Sequence, residues 1–164
     1  MEFDKLLFEK SLDIIGIGST KKIIKVTDKT LDFFKSIGLS AELIDFLKEF
    51  SFMQGIDFDG IYFSRVNDMR SENLEEINKE IFKYNLLIVG AGMNGDPIVL
   101  NFKTMKMGYV FHDELWEGDT IEDLDAIFID LGLSLGEFYY KKVTEENFPI
   151  DAYEAEEYMN NLKK

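Results

Sequence analysis

Residues 85–103, NLLIVGAGMNGDPIVLNFK, decide the fold. LLIV at 86–89 reads as a buried strand, and Gly90, Gly92 and Gly95 complete a GxGxxG. That spacing is a dinucleotide fingerprint when a helix follows, because the helix N-terminus offers free N–H groups to a pyrophosphate. Here Asp96 and Pro97 follow, then IVLNF at 98–102. The run is β-branched and apolar, has the length of a strand, and lacks the polar face of a covering helix. Asn94-Gly95 is a strong signal for a tight reversal between strands. The segment therefore reads as strand, loop, strand, with glycines holding positions at positive φ.

Working outward, a turn at 103–106 leads to a strand at 108–111, and residues 60–66 give a strand before the glycine loop. Ser71 is placed to cap a helix over 72–83, with Leu74, Ile77, Ile81 and Phe82 inward. Towards the N-terminus, helices are predicted over 2–15, from Thr27-Asp28 to Gly38, and from a Ser40 cap through Phe50. Residues 23–26 suit a short strand or extended lead-in, and 51–55 a loop. After an acidic segment at 113–125, read as a loop with a helical turn, a strand is expected at 126–131. Ser134 with Glu137, and Asp151 with Glu154, fit capping boxes that open the last two helices. Strands in succession joined by tight turns imply an antiparallel sheet covered by helices, a single α+β domain.

A chain of 164 residues, 46% hydrophobic and 14% aromatic, can bury a core and is not a disordered polymer. It has no cysteine and a single histidine, which removes thiolate metal sites and thiol nucleophiles. The acidic segment lacks the ligand alternation of an EF-hand. No signal peptide or bilayer-length apolar run is visible, so a soluble cytoplasmic protein is expected, without metal or cofactor and without catalysis.

The net charge of -14 is unevenly placed. Residues 1–106 carry 17 acids and 14 bases, whereas residues 107–164 carry 15 acids and 4 bases. Neither Lys nor Arg occurs from Met107 to Tyr140. Such a face repels nucleic acid and attracts basic proteins. Asp113, Glu114, Glu117, Asp119, Glu122 and Asp123 are the expected partner-binding acids. Trp116 is either their anchor, since Trp is enriched at hot spots, or a ring packed under its own loop. His112-Asp113-Glu114 groups an imidazole with two carboxylates, but adjacent residues seldom converge on one ion, so His112 reads as the polar end of a strand.

Three stretches resemble the SUKH superfamily, the Smi/Knr-type domains. TDKTLDFFKSIGLSAELIDFLKEFSF at 27–52 is similar to that family's opening pair of helices. LIVGAGMNGDPIVLNFKTMKMGYVF at 87–111 is similar to its central strand, Gly-Asp-Pro loop and following strands. IFIDLGLSLGEFYY at 127–140 looks like its last strand and Ser-x-x-Glu-Phe helix. Ser40 stands where a proline is common, and Ser51-Phe52 where Asn-Gly is common. The division that follows is an N-terminal extension over 1–26, a SUKH-like domain over 27–143 and a C-terminal helix over 144–164 packed on it. The resemblance implies helices on an antiparallel sheet, and a protein-binding role: a bacterial immunity protein that neutralises a toxin, often a nuclease, or a regulatory adaptor. A nucleotide-binding enzyme built on Gly90, Gly92 and Gly95 is the remaining alternative.

Overall fold

The computed structural model describes residues 3–18, 22–117, 121 and 123–164. Three helices come first: α1 (Lys5–Ile14), α2 (Asp28–Ser36) and α3 (Ala41–Glu49). The side chains of Thr27 and Ser40 accept from the N–H groups of Thr30 and Leu43, capping α2 and α3. Strands β1 (Ile56–Phe58) and β2 (Ile61–Phe63) form a hairpin, followed by α4 (Met69–Leu74). Then come β3 (Leu86–Ala91), β4 (Pro97–Asn101), β5 (Lys106–Val110), α5 (His112–Glu117), α6 (Leu124–Ile127), β6 (Phe128–Leu133), α7 (Leu135–Thr144) and α8 (Ala152–Leu162). The six strands make one antiparallel sheet in the order of the chain. The architecture is a single α+β domain. No helix among the described residues is long and apolar enough to cross a membrane.

Both faces of the sheet are covered, as period-two alternation requires when all of a strand is apolar. Leu87, Ile98, Leu100, Met107 and Tyr109 point into the larger core with α1, α3, α7 and α8. Phe8 of α1 sits at its centre, with ring centroids 4.8 Å from Phe50, 5.3 Å from Phe63 and 5.7 Å from Tyr139. The N-terminal segment, set apart in the sequence as an extension, thus supplies the middle of the core. On the other face Leu86, Ile88, Val99 and Val110 meet Ile81, Leu115 and Ile127, a smaller cluster under α5 and α6.

The capping box at α7 is complete: Ser134 Oγ accepts from Glu137 N–H, and Glu137 accepts from Ser134 N–H. At α8 Asp151 accepts from Glu154 N–H, but Glu154 reaches past it to the Ile150 N–H at 3.1 Å. Three expectations need correction. The helix over 72–83 is broken: α4 ends at Leu74, and only a 3₁₀ turn at Ile81–Tyr84 follows. Ser71 lies inside α4, donating to Asp68 O, and Leu74 and Ile77 are 40% and 44% exposed. The strand at 60–66 stops at Phe63, with β1 before it. Residues 23–26, read as a short strand or an extended lead-in, are the lead-in, with one bridge from Ile23 to Phe52. The strand at 126–131 begins two residues later, at Phe128, after the turn of α6.

Asn73 gives the physical reason for the broken helix. It is wholly buried, and its side chain donates to Ile88 O at 3.0 Å and accepts from Ile88 N–H at 2.8 Å. The amide takes the place of a strand partner on β3 where β2 has ended, and this pins α4 to the sheet edge. Asn73→Ala leaves both Ile88 groups buried without partners. A loss of about 2 kcal/mol is expected in denaturant unfolding. Unchanged stability would show that β3 needs no partner there.

Candidate functional site

The loop between β3 and β4 explains its own glycines. A Cβ on Gly90 would lie 1.8 Å from Tyr62 O, and one on Gly92 2.5 Å from Ile150 O. Only Gly95 has positive φ, at 94°. Two of the three glycines therefore serve close backbone approach, and positive φ, expected of the loop as a whole, belongs to Gly95 alone. Four of the loop's N–H groups are already committed: Gly92 to Asp96 O, Met93 to Ile150 O, Gly95 to Gly92 O and Asp96 to Asn94 Oδ1. Pro97 begins β4, paired with Ala91. A phosphate would find neither a helix N-terminus nor a row of waiting donors here.

Asp96 is the hub of the region. It is 0% exposed, and Oδ1 accepts from His112 N–H at 3.0 Å while Oδ2 accepts from Ala152 N–H at 2.8 Å. Its Oδ1 also bonds the His112 ring at Nδ1. Burial alone would push this carboxyl up. The backbone bonds from His112 and Ala152, together with the ring, outweigh burial and hold it below the usual carboxylate range. One side chain thereby ties the β3–β4 loop to the first residues of both α5 and α8.

His112 opens α5 rather than ending a strand, and the helical turn expected in the acidic segment lies at its start, in α5. The second ring nitrogen, Nε2, lies 2.8 Å from Asp113 Oδ1, so both ring nitrogens meet carboxylates of the protein. Trp116 stands between the two roles expected of it. Its ring packs 4.8 Å from the His112 ring and its Nε1 donates to Asn78 Oδ1 at 3.2 Å, yet it remains 44% exposed. Leu115 anchors the helix in the smaller core.

Around this anchored helix, Asp113, Glu114 and Glu117 are exposed, as is Asp123 at the start of α6. Asp123 caps α6 by accepting from Asp125 N–H. Glu114 and Glu117 make no hydrogen bond or ion pair among the described residues. Asp119 and Glu122 lie outside the described residues. Tyr153, from the first turn of α8, is 54% exposed and donates to Asp113 Oδ2 at 3.3 Å. Sequence reading missed Tyr153, because only the fold brings residue 153 beside residue 113. The face therefore has open carboxylates flanked by two half-exposed aromatic rings, one from each helix that Asp96 holds.

Beside Trp116, on the face of the sheet under α5, lies a cleft of about 160 Å³ lined by Ser64, Glu72, Asn78, Ile88, Pro97 and Trp116 among others. Glu72 Oε2 accepts from Ser64 Oγ at 3.1 Å, and Asn78 Nδ2 donates to Glu72 O at 3.0 Å. Burial pushes the Glu72 carboxyl up to about 7. The Ser64 hydroxyl opposes the rise, and Asp68 and Glu75 add to it. Among 32 acids nothing in the sequence set Glu72 apart. Comparison with protein-family models, with curated proteins and with solved structures gave no match.

Proposed function

We propose that the chain is a non-catalytic protein-binding domain that neutralises a basic partner, an immunity protein whose target is a toxin such as a nuclease. The observation that carries this reading is the α5 face. Glu114 and Glu117 are exposed and unpaired among the described residues, beside the half-exposed rings of Trp116 and Tyr153. Unpaired acids raise the negative potential outside the protein and speed the arrival of a basic surface. Exposed Trp and Tyr on a rigid support supply contact area at small entropic cost. The substrate groove of a nuclease is basic, so an acidic plug would occlude it without any chemistry of its own. The SUKH-like order of helices and strands is in keeping with that role.

The test uses the inactivated product of a toxin gene adjacent to this chain's own gene. Glu114→Lys with Glu117→Lys is expected to leave folding intact, since neither side chain holds the fold. It should slow association at low salt on the order of tenfold or more and flatten its salt dependence. Unchanged affinity and salt dependence would remove the acidic-face reading, and absence of such a gene would favour a regulatory adaptor.

A further inference from the structure

We infer that the cleft between Glu72 and Trp116 is a receptor for one cationic group, the guanidinium or ammonium end of a partner's Arg or Lys side chain. Its size argues for this occupant. About 160 Å³ is roughly ten times the space one water needs, yet below the ~300 Å³ at which pockets for drug-sized ligands begin. A side-chain terminus fits, and a dinucleotide does not. Its chemistry argues the same way. Among the described residues Glu72 is the only ionisable one lining the cleft, and its Oε1 has no hydrogen bond to any of them. The indole of Trp116 lines the same space and is open to solvent, and a carboxylate beside an indole is a pairing that attracts a cation by charge and by the ring's quadrupole. The remaining polar side chains are neutral: the Ser64 hydroxyl, just past β2, and the Asn78 amide, which ties Trp116 to the backbone of Glu72.

The inference rests on the acidic-face reading only for the source of the cation, because Trp116 belongs to both surfaces. A cation needs Glu72 ionised, and its carboxyl titrates at about 7. Asp68 and Glu75, the charged neighbours that raise it, lie in the turn before α4 and just past its end. The ionised fraction rises about tenfold between pH 6 and pH 8, and apparent affinity scales with that fraction.

The experiment titrates the full chain with N-acetyl-arginine methylamide and reads the fluorescence of Trp116, the sole tryptophan. Saturable binding in the millimolar range is expected. It should be about tenfold tighter at pH 8 than at pH 6, and the neutral citrulline analogue should bind at least tenfold more weakly. Glu72→Gln should lose tenfold or more at pH 8 while remaining folded, since it removes an acid whose ionisation burial disfavours. Equal binding by Glu72→Gln or by the citrulline analogue, or an affinity flat in pH, would overturn the proposal. A glycine-flanked arginine peptide separates the sources: binding supports a protein side chain, whereas exclusion of the peptide with retention of the free probe overturns that assignment. The double variant Glu114→Lys, Glu117→Lys leaves the cleft whole, so failure of the acidic face and failure of the cleft are read separately.

Discussion

Asp96→Ala is expected to remove about 3–6 kcal/mol of stability, because two backbone N–H groups each lose a hydrogen bond to a carboxylate worth about 1.5–3 kcal/mol. The substitution strips the acceptor from the N–H groups of His112 and Ala152 and from the His112 ring. Asparagine should rescue little, because its amide turns a donor towards groups that are themselves donors. The pH dependence identifies the mechanism. Since the folded carboxyl titrates below its ordinary value, its contribution is fully present above that value and is lost as pH falls through the folded pKa. Denaturant unfolding from pH 7 down to acid should therefore show a decline in the wild type that Asp96→Ala lacks. Parallel curves would mean that Asp96 is not held ionised. Because α5 and α8 both start on this side chain, the variant should also loosen the Trp116–Tyr153 face, visible as faster amide exchange at the start of each helix.

Gly90→Ala is the second large effect. β2 meets β3 through only two residue pairs, Tyr62 with Ala91 and Phe63 with Gly90. A methyl at residue 90 would lie 1.8 Å from Tyr62 O and 3.1 Å from the Tyr139 hydroxyl. That hydroxyl donates to the same Tyr62 O at 3.1 Å. Backbone oxygen cannot yield as a flexible side chain does, so β2 must part from β3 and the buried Tyr139 O–H loses its acceptor. A loss above about 3 kcal/mol is expected, at or beyond the upper end for overpacking. Gly95→Ala is the comparison. Its positive φ costs roughly 1–2 kcal/mol in any L-residue, and the space around it is open. Equal losses at the two positions would show that close approach is not what residue 90 requires.

Much of the fold was legible because local signals agreed with tertiary demands. Pro97 and the β-branched run after it identified a strand, and the Ser134–Glu137 spacing placed the start of α7 to the residue. The break after Leu74 was not legible. The apolar spacing at 74, 77, 81 and 82 is helical, and it lost to Asn73, whose hydrogen bonds to Ile88 exist only once the sheet has formed. The acidic residues of the site could be read directly, but their support could not. Asp96 in a Gly-Asp-Pro context reads as a turn residue, and its contacts with residues 112 and 152 span 16 and 56 positions. Tyr153 and Glu72 were invisible for the same reason.

The sheet's order is the order of synthesis. Each strand after the first pairs with the one made just before it, across connections of 2 to 22 residues, so pairing advances with the growing chain, and loop-closure entropy grows only slowly with loop length. The exception joins the two ends. Phe8 in α1 meets Phe46 and Phe50 early, but its contact with Tyr139 in α7 awaits a segment some 130 residues later. At a ribosomal rate of about 5–20 residues per second, that interval is on the order of ten seconds. The central ring of the core is among the first parts made and among the last to be fully enclosed.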